Sequence, residues 1–382
     1  MNIHYLDNSA TTRVSEAAAQ AALGMMRDNF GNPSSLHEVG LNAEKAVERA
    51  RQTIAGSLGA DAKSIFFTSG GTEGNNTVLF GVAEALRRRG NRIIVSAVEH
   101  SSVYESAKRL SEQGFDVQYA PVGSDGVVDV ETLKALLTEK TILVSVMTVN
   151  NETGAIQPIE RIARLVHKCS PEAVFHSDAV QAYCKMPLKP KKWGVDVMTV
   201  SAHKIHGAKG CGALYIGSGA RIEGGRVVPL LYGGEQQRRQ RPGTESTPLI
   251  AAFSKAVEEA DITANGTYIR KLNAYATEQL SELEGIAFNS SEDALPYIIN
   301  ISAEGIRSET MLHHLEKEFG VYVSSSSACS KGKRSYVLTA MGLPDDRVDS
   351  SLRISFSKYN TKEDIDALVE GLRDGLATLQ KR

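Results

Sequence analysis

The sequence predicts an α/β protein with one large domain, built on a mostly parallel sheet, and one smaller α+β domain. Three observations predict this fold class. The chain of 382 residues is longer than a typical single domain. Five short apolar runs between positions 65 and 201 alternate with amphipathic helical stretches, as in repeated strand-helix-strand units. After position 256 the pattern changes to longer helices with fewer strands.

The predicted strands of the large domain begin at positions 65, 92, 141, 173 and 195. Their sequences are IFFT, RIIVS, TILVSVMTV, AVFHSD and VDVMTVS. The run 141–149 is apolar on both faces, which is typical of a central strand covered by helices on both sides. Val78, Val82 and Leu86 form the apolar stripe of a helix that ends before Gly90.

The last helix of the small domain is predicted to begin at Thr361, which is followed three positions later by Asp364 in a capping-box pattern. Its apolar stripe consists of Ile365, Leu368, Val369, Leu372 and Leu376. We predict that the large domain spans residues 14–255. Residues 1–13 and 256–382 then form the small domain.

The composition narrows the class of partner. With 43 basic and 45 acidic residues, the net charge of -2 gives no long-range attraction for nucleic acids or anionic membranes, and we expect neither as a partner. No apolar segment reaches the ~18 residues of a membrane span, and Asp7 interrupts the place of a signal peptide, so we expect a cytoplasmic protein. The four cysteines form no C-x-x-C pair, so we expect no metal site.

Each of the five predicted strands is followed by chemically useful side chains. In strand order these are SGGTEGNN (69–76), Glu99 with His100, Asn150 to Glu152, Asp178 with Gln181, and Ser201 to Lys204. In open α/β sheets, ligands bind outside the carboxyl ends of the strands. The sequence therefore predicts a cofactor site at this edge of the sheet.

The glycine-rich segment 69–76 opens a helix, so its backbone N–H groups and the hydroxyl of Thr72 could hold a phosphate. The alternative is a purely structural connection. Nucleotide hydrolysis is disfavoured, because the chain contains neither G-x-x-x-x-G-K-[ST] nor G-x-G-x-x-G after its first strand.

Lys204 follows an apolar strand directly, where a partly desolvated lysine has a lowered pKa and can form a Schiff base; the alternative is a solvated surface lysine. Asp178 at another strand end could face a protonated ring nitrogen or, alternatively, cap a helix. A phosphate cradle, a strand-end lysine and such an acid are together the parts of a pyridoxal phosphate site.

The chain resembles the cysteine desulfurases, pyridoxal phosphate enzymes of the class V aminotransferase group. The blocks that carry the resemblance are YLDNSATT (5–12), SGGTEGNN (69–76), VEHSSV (98–103), VNNETGAIQPI (149–159), FHSDAVQ (175–181), SAHKIHGAKGCGALY (201–215), GGEQQRRQRPGTES (233–246), SSSSACS (324–330), SYVLTAMG (335–342) and SSLRISF (350–356). The resemblance implies the fold-type I architecture with a seven-stranded sheet.

The resemblance also implies roles for individual residues. Lys204 would bind the cofactor aldehyde, Asp178 the pyridine nitrogen and Gln181 the phenolic oxygen, while His100 would stack on the ring. The phosphate would be held by Gly71, Thr72, Ser201 and His203, and by Thr244 from the second subunit of a homodimer. Asn151 and Arg353 would bind the substrate carboxylate. The basic stretch 236–241, taken alone a solvated loop, then belongs to a dimer contact.

Cys329 is the expected nucleophile and would carry a persulfide after taking sulfur from L-cysteine. It lies near Lys331, Lys333 and Arg334, a basic setting that favours the thiolate. We interpret Cys169, Cys184 and Cys211 as structural.

Sulfur would pass from Cys329 to an acceptor protein, either a scaffold for iron-sulfur cluster assembly or a tRNA-thiolation enzyme. The loop between Cys329 and the SYVL block is short, so we expect a dedicated acceptor. Three alternatives stay open: a selenocysteine lyase, another class V transaminase or lyase, and a sulfur-binding scaffold without catalysis.

Overall fold

The seven-stranded sheet of the large domain is mixed but mostly parallel, in a computed structural model that describes residues 3–220, 225–325 and 334–380. Its strands are β2 (Ile65–Thr68), β3 (Arg92–Ser96), β4 (Asp116–Ala120), β5 (Thr141–Ser145), β6 (Val174–Asp178), β7 (Val197–Ser201) and β8 (Gly212–Ile216). The spatial order is β2-β8-β7-β6-β5-β3-β4, and only β8 runs antiparallel to its neighbours. The predicted fold class and the seven-stranded sheet are thus confirmed.

Helices cover the large sheet on both faces. They are α1 (Glu16–Arg27), α2 (Glu38–Ser57), α3 (Gly71–Leu86), α4 (Ser101–Glu112), α5 (Val130–Leu136), α6 (Ile159–Cys169), α7 (Pro190–Trp193) and α8 (Thr247–Glu258). Adjacent strand residues belong to different cores: Phe66 and Leu143 pack on one face, Phe67 and Val144 on the other. This double burial explains why the strand sequences are almost continuously apolar.

The smaller unit contains a four-stranded antiparallel sheet in the order β12-β13-β10-β9 and a two-stranded parallel pair, β1-β11. Its strands are β1 (His4–Tyr5), β9 (Ile286–Phe288), β10 (Ile298–Ala303), β11 (Val321–Tyr322), β12 (Ser324–Ser325) and β13 (Ser351–Ser355). Its helices are α9 (Ile262–Ser281), α10 (Ser308–Phe319), α11 (Tyr336–Ala340), α12 (Asp345–Asp349) and α13 (Lys362–Thr378).

The predicted start of the last helix is confirmed. The backbone N–H of Thr361 donates to the Asp364 carboxylate at 3.0 Å, and the predicted stripe of α13 faces the core. Residue 255, the predicted domain boundary, lies inside α8, so a helix rather than a linker runs through it. The domain limits stay a prediction.

One strand of the large sheet, β4, was not predicted, and the strand at position 141 was predicted too long. β4 is an edge strand with mixed polarity and partly exposed side chains, so it lacks the apolar signal. The regular strand β5 ends at Ser145, inside the apolar run 141–149. The backbone of the rest of the run still donates to β6, from Val146 to the His176 carbonyl and from Thr148 to the Asp178 carbonyl. Burial therefore continues beyond the regular strand.

Two features are absent from the described ranges. No helix there is both long enough and apolar enough to cross a bilayer. Within the same ranges, no three or more His, Cys, Asp or Glu side chains are grouped to hold a metal ion.

Candidate functional site

A cavity of about 370 Å³ lies at the carboxyl ends of the large-domain strands. Nine predicted site residues line it: Gly71, Thr72, His100, Asn151, Asp178, Gln181, His203, Lys204 and Arg353. Ser201 ends β7 but its hydroxyl donates to the Cys211 carbonyl at 3.4 Å, and it does not line the cavity. A larger groove of about 930 Å³, which includes Arg51 and Gln237, contains none of the predicted residues.

Thr244 and Cys329 complete the set of predicted residues. Thr244 is exposed and lies away from the cavity of its own chain, so its role in a second subunit stays a prediction. Cys329 and the basic loop 330–333 lie outside the described residues. The basic stretch before Thr244 is not simply solvated, because Gln237 is buried and Arg241 pairs with Glu73 at 3.0 Å.

The carboxylate of Asp178, the last residue of β6, is held at both oxygens. Asn75 of α3 donates to Oδ2 at 2.7 Å, and the backbone N–H of Val180 donates to Oδ1 at 2.9 Å. The second bond is a local turn contact, and because the next helix, α7, begins only at Pro190, Asp178 does not cap a helix. Sequence reasoning missed Asn75, although it belongs to the glycine-rich segment.

His100 is the N-cap of α4, and its ring orientation follows from its neighbours. Its Nδ1 accepts from the backbone N–H of Ser102 at 3.2 Å and lies 2.8 Å from the Ser102 hydroxyl. Asn75 donates to that hydroxyl oxygen at 2.8 Å, so the hydroxyl proton is directed at Nδ1. Burial lowers the pKa of His100, and the neutral ring therefore carries its proton on Nε2.

Lys204 follows β7 in a short 3₁₀ turn, and its ammonium reaches the N-terminal segment of the chain. Its Nζ donates to the Ser9 carbonyl and, at 2.7 Å, to the Ala10 carbonyl. Gln181 donates from Nε2 to the same Ser9 carbonyl at 2.9 Å. Ser9 and Ala10 also line the cavity, a role that the sequence could suggest only through the YLDNSATT block.

Arg353 of β13 is buried and faces the cavity from the smaller unit. Its NH2 group donates to the Asp7 carboxylate at 2.9 Å, and its NH1 group donates to the Asn151 carbonyl at 3.1 Å. Burial raises the pKa of Asp7, although the charge of Arg353 opposes the rise. Among the described residues, buried Arg353 Nε and Asn151 Oδ1 have no hydrogen-bond partner, which is costly unless a ligand satisfies them.

The glycine-rich segment provides a helix N-terminus beside this cavity. α3 begins at Gly71 after Gly70, whose φ of 149° is accessible to glycine and strained for other residues. The first-turn amides have no intrahelical partner, so they are available to an anion. His203, which also lines the cavity, is neutral, because burial lowers its pKa to about 3.

Two buried carboxyl groups that the sequence analysis did not assign stand next to site residues. Glu99 precedes His100, and its Oε1 accepts from the Ser96 hydroxyl at 2.5 Å and the Met147 backbone N–H at 2.7 Å. Burial raises the pKa of Glu99 to about 8. Glu152 follows Asn151, and burial raises its pKa to about 7.

Three consecutive residues, from position 334 onward, hold the chain in place after segment 326–333, which lies outside the described residues. Arg334 forms a two-pronged ion pair with Asp349, at 2.9 Å and 3.1 Å, and also pairs with Asp345. Ser335 donates to Glu152, and the Tyr336 hydroxyl donates to the Glu99 carbonyl at 2.5 Å. The charge of Arg334 is therefore compensated, contrary to its expected contribution to the basic setting of Cys329.

The described cysteines are poor nucleophile candidates. Burial raises the pKa of both Cys184 and Cys211 to about 12. Cys169 is half-buried at the end of α6, and none of the three lines the cavity. Their geometry fits the structural interpretation of these thiols.

With this fold and cavity established, residues 4–368 match the family Aminotransferase class-V, and the chain belongs to that family. It is 40% identical over 371 residues to the cysteine desulfurase IscS of Methanosarcina thermophila, covering 96% of this chain and 90% of the relative. It is 39% identical to the putative cysteine desulfurase IscS 1 of Bacillus subtilis, with 97% of each chain covered. Within the family the chain is a cysteine desulfurase.

Solved structures agree with this assignment. A NifS-like protein superimposes with a TM-score of 0.92 at 38% identity, covering 99% of this chain and 100% of the other. The NifS-like protein from Rickettsia africae gives a TM-score of 0.87 at 32% identity, covering 98% and 99%. The fold expected from the family resemblance is therefore confirmed.

Proposed function

We propose that the protein uses pyridoxal phosphate to convert L-cysteine to L-alanine and stores the released sulfur as a persulfide on Cys329. The observation that carries this proposal is the arrangement of one cavity. Lys204, Asp178 and His100 line it together, and Arg353 Nε and Asn151 Oδ1 beside them have no hydrogen-bond partner in the part of the chain that the structure describes.

The donors and acceptors of the cavity fit the cofactor. Lys204 would hold its aldehyde carbon, the Asp178 carboxylate its ring nitrogen, and Gln181 its ring oxygen. The phosphate would lie at the start of α3 against Gly71, Thr72 and His203, with Thr244 contributed by a second copy of the chain; Ser201 would join them once its hydroxyl turns from the Cys211 carbonyl. When bound, pyridoxal phosphate supplies an electron sink for bonds broken at the substrate.

The substrate carboxylate would bind Arg353 and Asn151. A guanidinium presents a planar fork that matches a carboxylate, and Arg353 has a free Nε to offer. Asp7 shares this guanidinium, so it fixes the side chain and limits its net charge. L-cysteine would therefore be held by its main-chain groups, which leaves its thiol to face Cys329.

Proton handling would fall to Lys204 and His100. As the free amine, Lys204 Nζ would remove the proton from the substrate Cα and later return a proton to carbon. His100 would stack over the reacting ring and present Nε2–H to the cavity, since its Nδ1 is occupied by Ser102. Burial keeps this ring neutral, so it can donate a hydrogen bond without adding a charge.

The sulfur transfer balances without an added oxidant. The Cys329 thiolate would attack the substrate Sγ, so that an S–S bond forms while the Cβ–Sγ bond breaks. The electron pair of the broken bond and one proton would remain with the carbon product. The products are one alanine and one persulfide for each cysteine and enzyme thiol.

The biological setting is proposed on the family relationship. A homodimer in the cytoplasm would deliver sulfur to an acceptor protein, either a scaffold for iron-sulfur clusters or a tRNA-thiolation enzyme. The two domains would have the limits 14–255 and 1–13 with 256–382, and the small domain would carry Cys329.

The direct test is to incubate the purified protein with pyridoxal phosphate, L-cysteine and a reductant, and to quantify alanine and sulfide. We expect equal amounts of both, and no alanine from the Lys204→Ala variant. Cys329→Ala should lose desulfuration while it keeps the visible absorbance of bound cofactor. Absence of alanine with the native protein would refute the proposal.

A further inference from the structure

Lys185 is a buried lysine to which the proposed chemistry gives no part. It is 9% exposed and lies four residues after Gln181. Within the described ranges no carboxylate forms an ion pair with it, and its nearest ring is Tyr297, whose centroid is 5.6 Å from Nζ. Burial lowers the pKa of Lys185 to about 7, and the charges of Lys204 and Arg353 add to this effect.

The hydrogen bond that Lys185 makes is directed at the side-chain amide of Gln181. Its Nζ donates to Gln181 Oε1 at 3.1 Å. At the other end of the same amide, Gln181 Nε2 donates to the Ser9 carbonyl at 2.9 Å. Lys185 Nζ donates in this bond and a carbonyl can only accept, so the two neighbours favour the same orientation of this amide.

The two ends of the amide face different surroundings. Ser9 and Gln181 line the cofactor cavity, whereas Lys185 does not. The nitrogen end, bound to Ser9, is therefore on the cavity side, and the oxygen end is turned away toward Lys185. The amide nitrogen has two hydrogens, and the Ser9 carbonyl engages one of them.

The backbone before Lys185 bears a strain that fits this arrangement. Cys184 adopts a φ of 55°, in the left-handed region that a non-glycine residue rarely occupies. The turn is closed by the Lys185 backbone N–H, which donates to the Ala182 carbonyl at 3.0 Å. This turn brings Lys185 back over Gln181. The strained residue Cys184 and the buried amine of Lys185 are therefore adjacent in the chain.

We propose that Lys185 is a positioning residue that orients the Gln181 amide so that an N–H group, not the carbonyl oxygen, faces the ring oxygen of the cofactor. This inference rests on the proposed function and deepens it. Without Lys185, rotation of the amide by half a turn would place its oxygen near the negative ring oxygen. The hydrogen bond would then be replaced by repulsion.

The test measures the visible absorbance band of bound pyridoxal phosphate as a function of pH. Lys185→Met keeps the length of the side chain but removes its donor. We expect the midpoint of the titration to rise by about one pH unit, because a less well hydrogen-bonded ring oxygen is more basic. Lys189→Met, at an exposed lysine nearby, is the matched control and should leave the band unchanged.

A double-mutant cycle with Gln181→Ala separates orientation from simple charge. If Lys185 acts through the amide, adding Lys185→Met to Gln181→Ala should leave the midpoint where Gln181→Ala alone puts it. Equal shifts in both backgrounds would mean that the charge of Lys185 acts directly on the cofactor, and the proposal would be wrong. An unchanged band in Lys185→Met alone would also overturn it.

Two further measurements keep the outcomes distinct. If circular dichroism shows that Lys185→Met does not fold, Lys185→Leu takes its place, since it is also apolar and cannot donate, and it should give the same upward shift. Lys185→Arg, which retains a donor, should stay near the native midpoint. Native protein that develops no visible band refutes the proposed function, whereas a native band indifferent to Lys185 refutes only the positioning role.

Discussion

The hydroxyl of Ser335 donates a 2.6 Å hydrogen bond to the buried carboxylate of Glu152. Glu152 directly follows Asn151 of the cavity wall, and Ser335 is the N-cap of α11, just beyond segment 326–333. The bond therefore ties the chain that leads away from Cys329 to the wall that would hold the substrate carboxylate.

Ser335→Ala should destabilise the protein and slow sulfur transfer to Cys329. It leaves Glu152 Oε2 buried without its donor, which costs about 1–3 kcal/mol in the free energy of unfolding, measured with urea. The rate of persulfide formation on Cys329, followed by mass spectrometry, should fall while cofactor affinity stays native. Ser335→Thr keeps the hydroxyl and is the control. Equal loss of cofactor affinity and persulfide rate would contradict this prediction.

Glu99 should make the protein less stable as the pH rises. Burial raises its pKa from 4.5 to about 8, so the folded state binds the proton more tightly than the unfolded state between these values. Its favourable contribution is complete below pH 4.5 and is lost as the pH approaches 8. Glu99→Gln should reduce this dependence of stability on pH. Between pH 5 and pH 8, the difference in the free energy of unfolding between the variant and the native protein should shift in favour of the variant by about 1 kcal/mol or more. Parallel pH profiles of unfolding for the two proteins would argue against it.

Arg353 should determine the affinity for L-cysteine more than the rate of the chemical step. Arg353→Lys retains a charge but loses the planar fork and the unpartnered Nε. Loss of one charged hydrogen bond corresponds to a rise in KM of roughly tenfold to a hundredfold. Arg347→Lys, at an arginine outside the cavity that bonds to Asn289, is the matched control. A large fall in kcat at unchanged KM would count against this role.

Asn75 should be needed for cofactor binding, because it joins Asp178 to the Ser102 hydroxyl that orients His100. Asn75→Asp puts a second carboxylate beside Asp178, and repulsion should weaken retention of pyridoxal phosphate by tenfold or more, on the order of 1.4 kcal/mol. Equilibrium dialysis of the cofactor measures the change. The adjacent Asn76 bonds only to the Thr72 carbonyl, so Asn76→Asp should bind normally. If both variants bound the cofactor equally weakly, the cause would be the negative charge added to α3 and not its position beside Asp178.

The parts of the site that follow strands could be predicted from the sequence, and the parts assembled across the chain could not. His100, Asp178 and Lys204 each come directly after an apolar run, so strand periodicity places them at one edge of the sheet. Ser9 and Asn75 carry no such signal. Ser9 acts through its backbone carbonyl, which every residue has, and meets Lys204 across 195 positions of sequence.

The long apolar runs of the sequence predicted the central strands of the fold, but they did not predict every strand or every strand end. The prediction failed at β4, because an exposed edge strand has no need of an apolar pattern, and at the end of β5, because buried chain need not be regular strand. The buried carboxyls Glu99 and Glu152 belong to the quoted blocks, yet Met147 and Ser335, which donate hydrogen bonds to them, are distant in sequence.

The contact between Asp7 and Arg353 has a consequence for biosynthesis. Their carboxylate and guanidinium are 346 positions apart, and the β1-β11 pairing spans a similar distance. During synthesis, the segment that contains Asp7 and supplies the Ser9 carbonyl therefore emerges from the ribosome long before β13, which carries Arg353. The large sheet can form during synthesis, but the nascent polypeptide cannot complete this cavity until β13 has been translated.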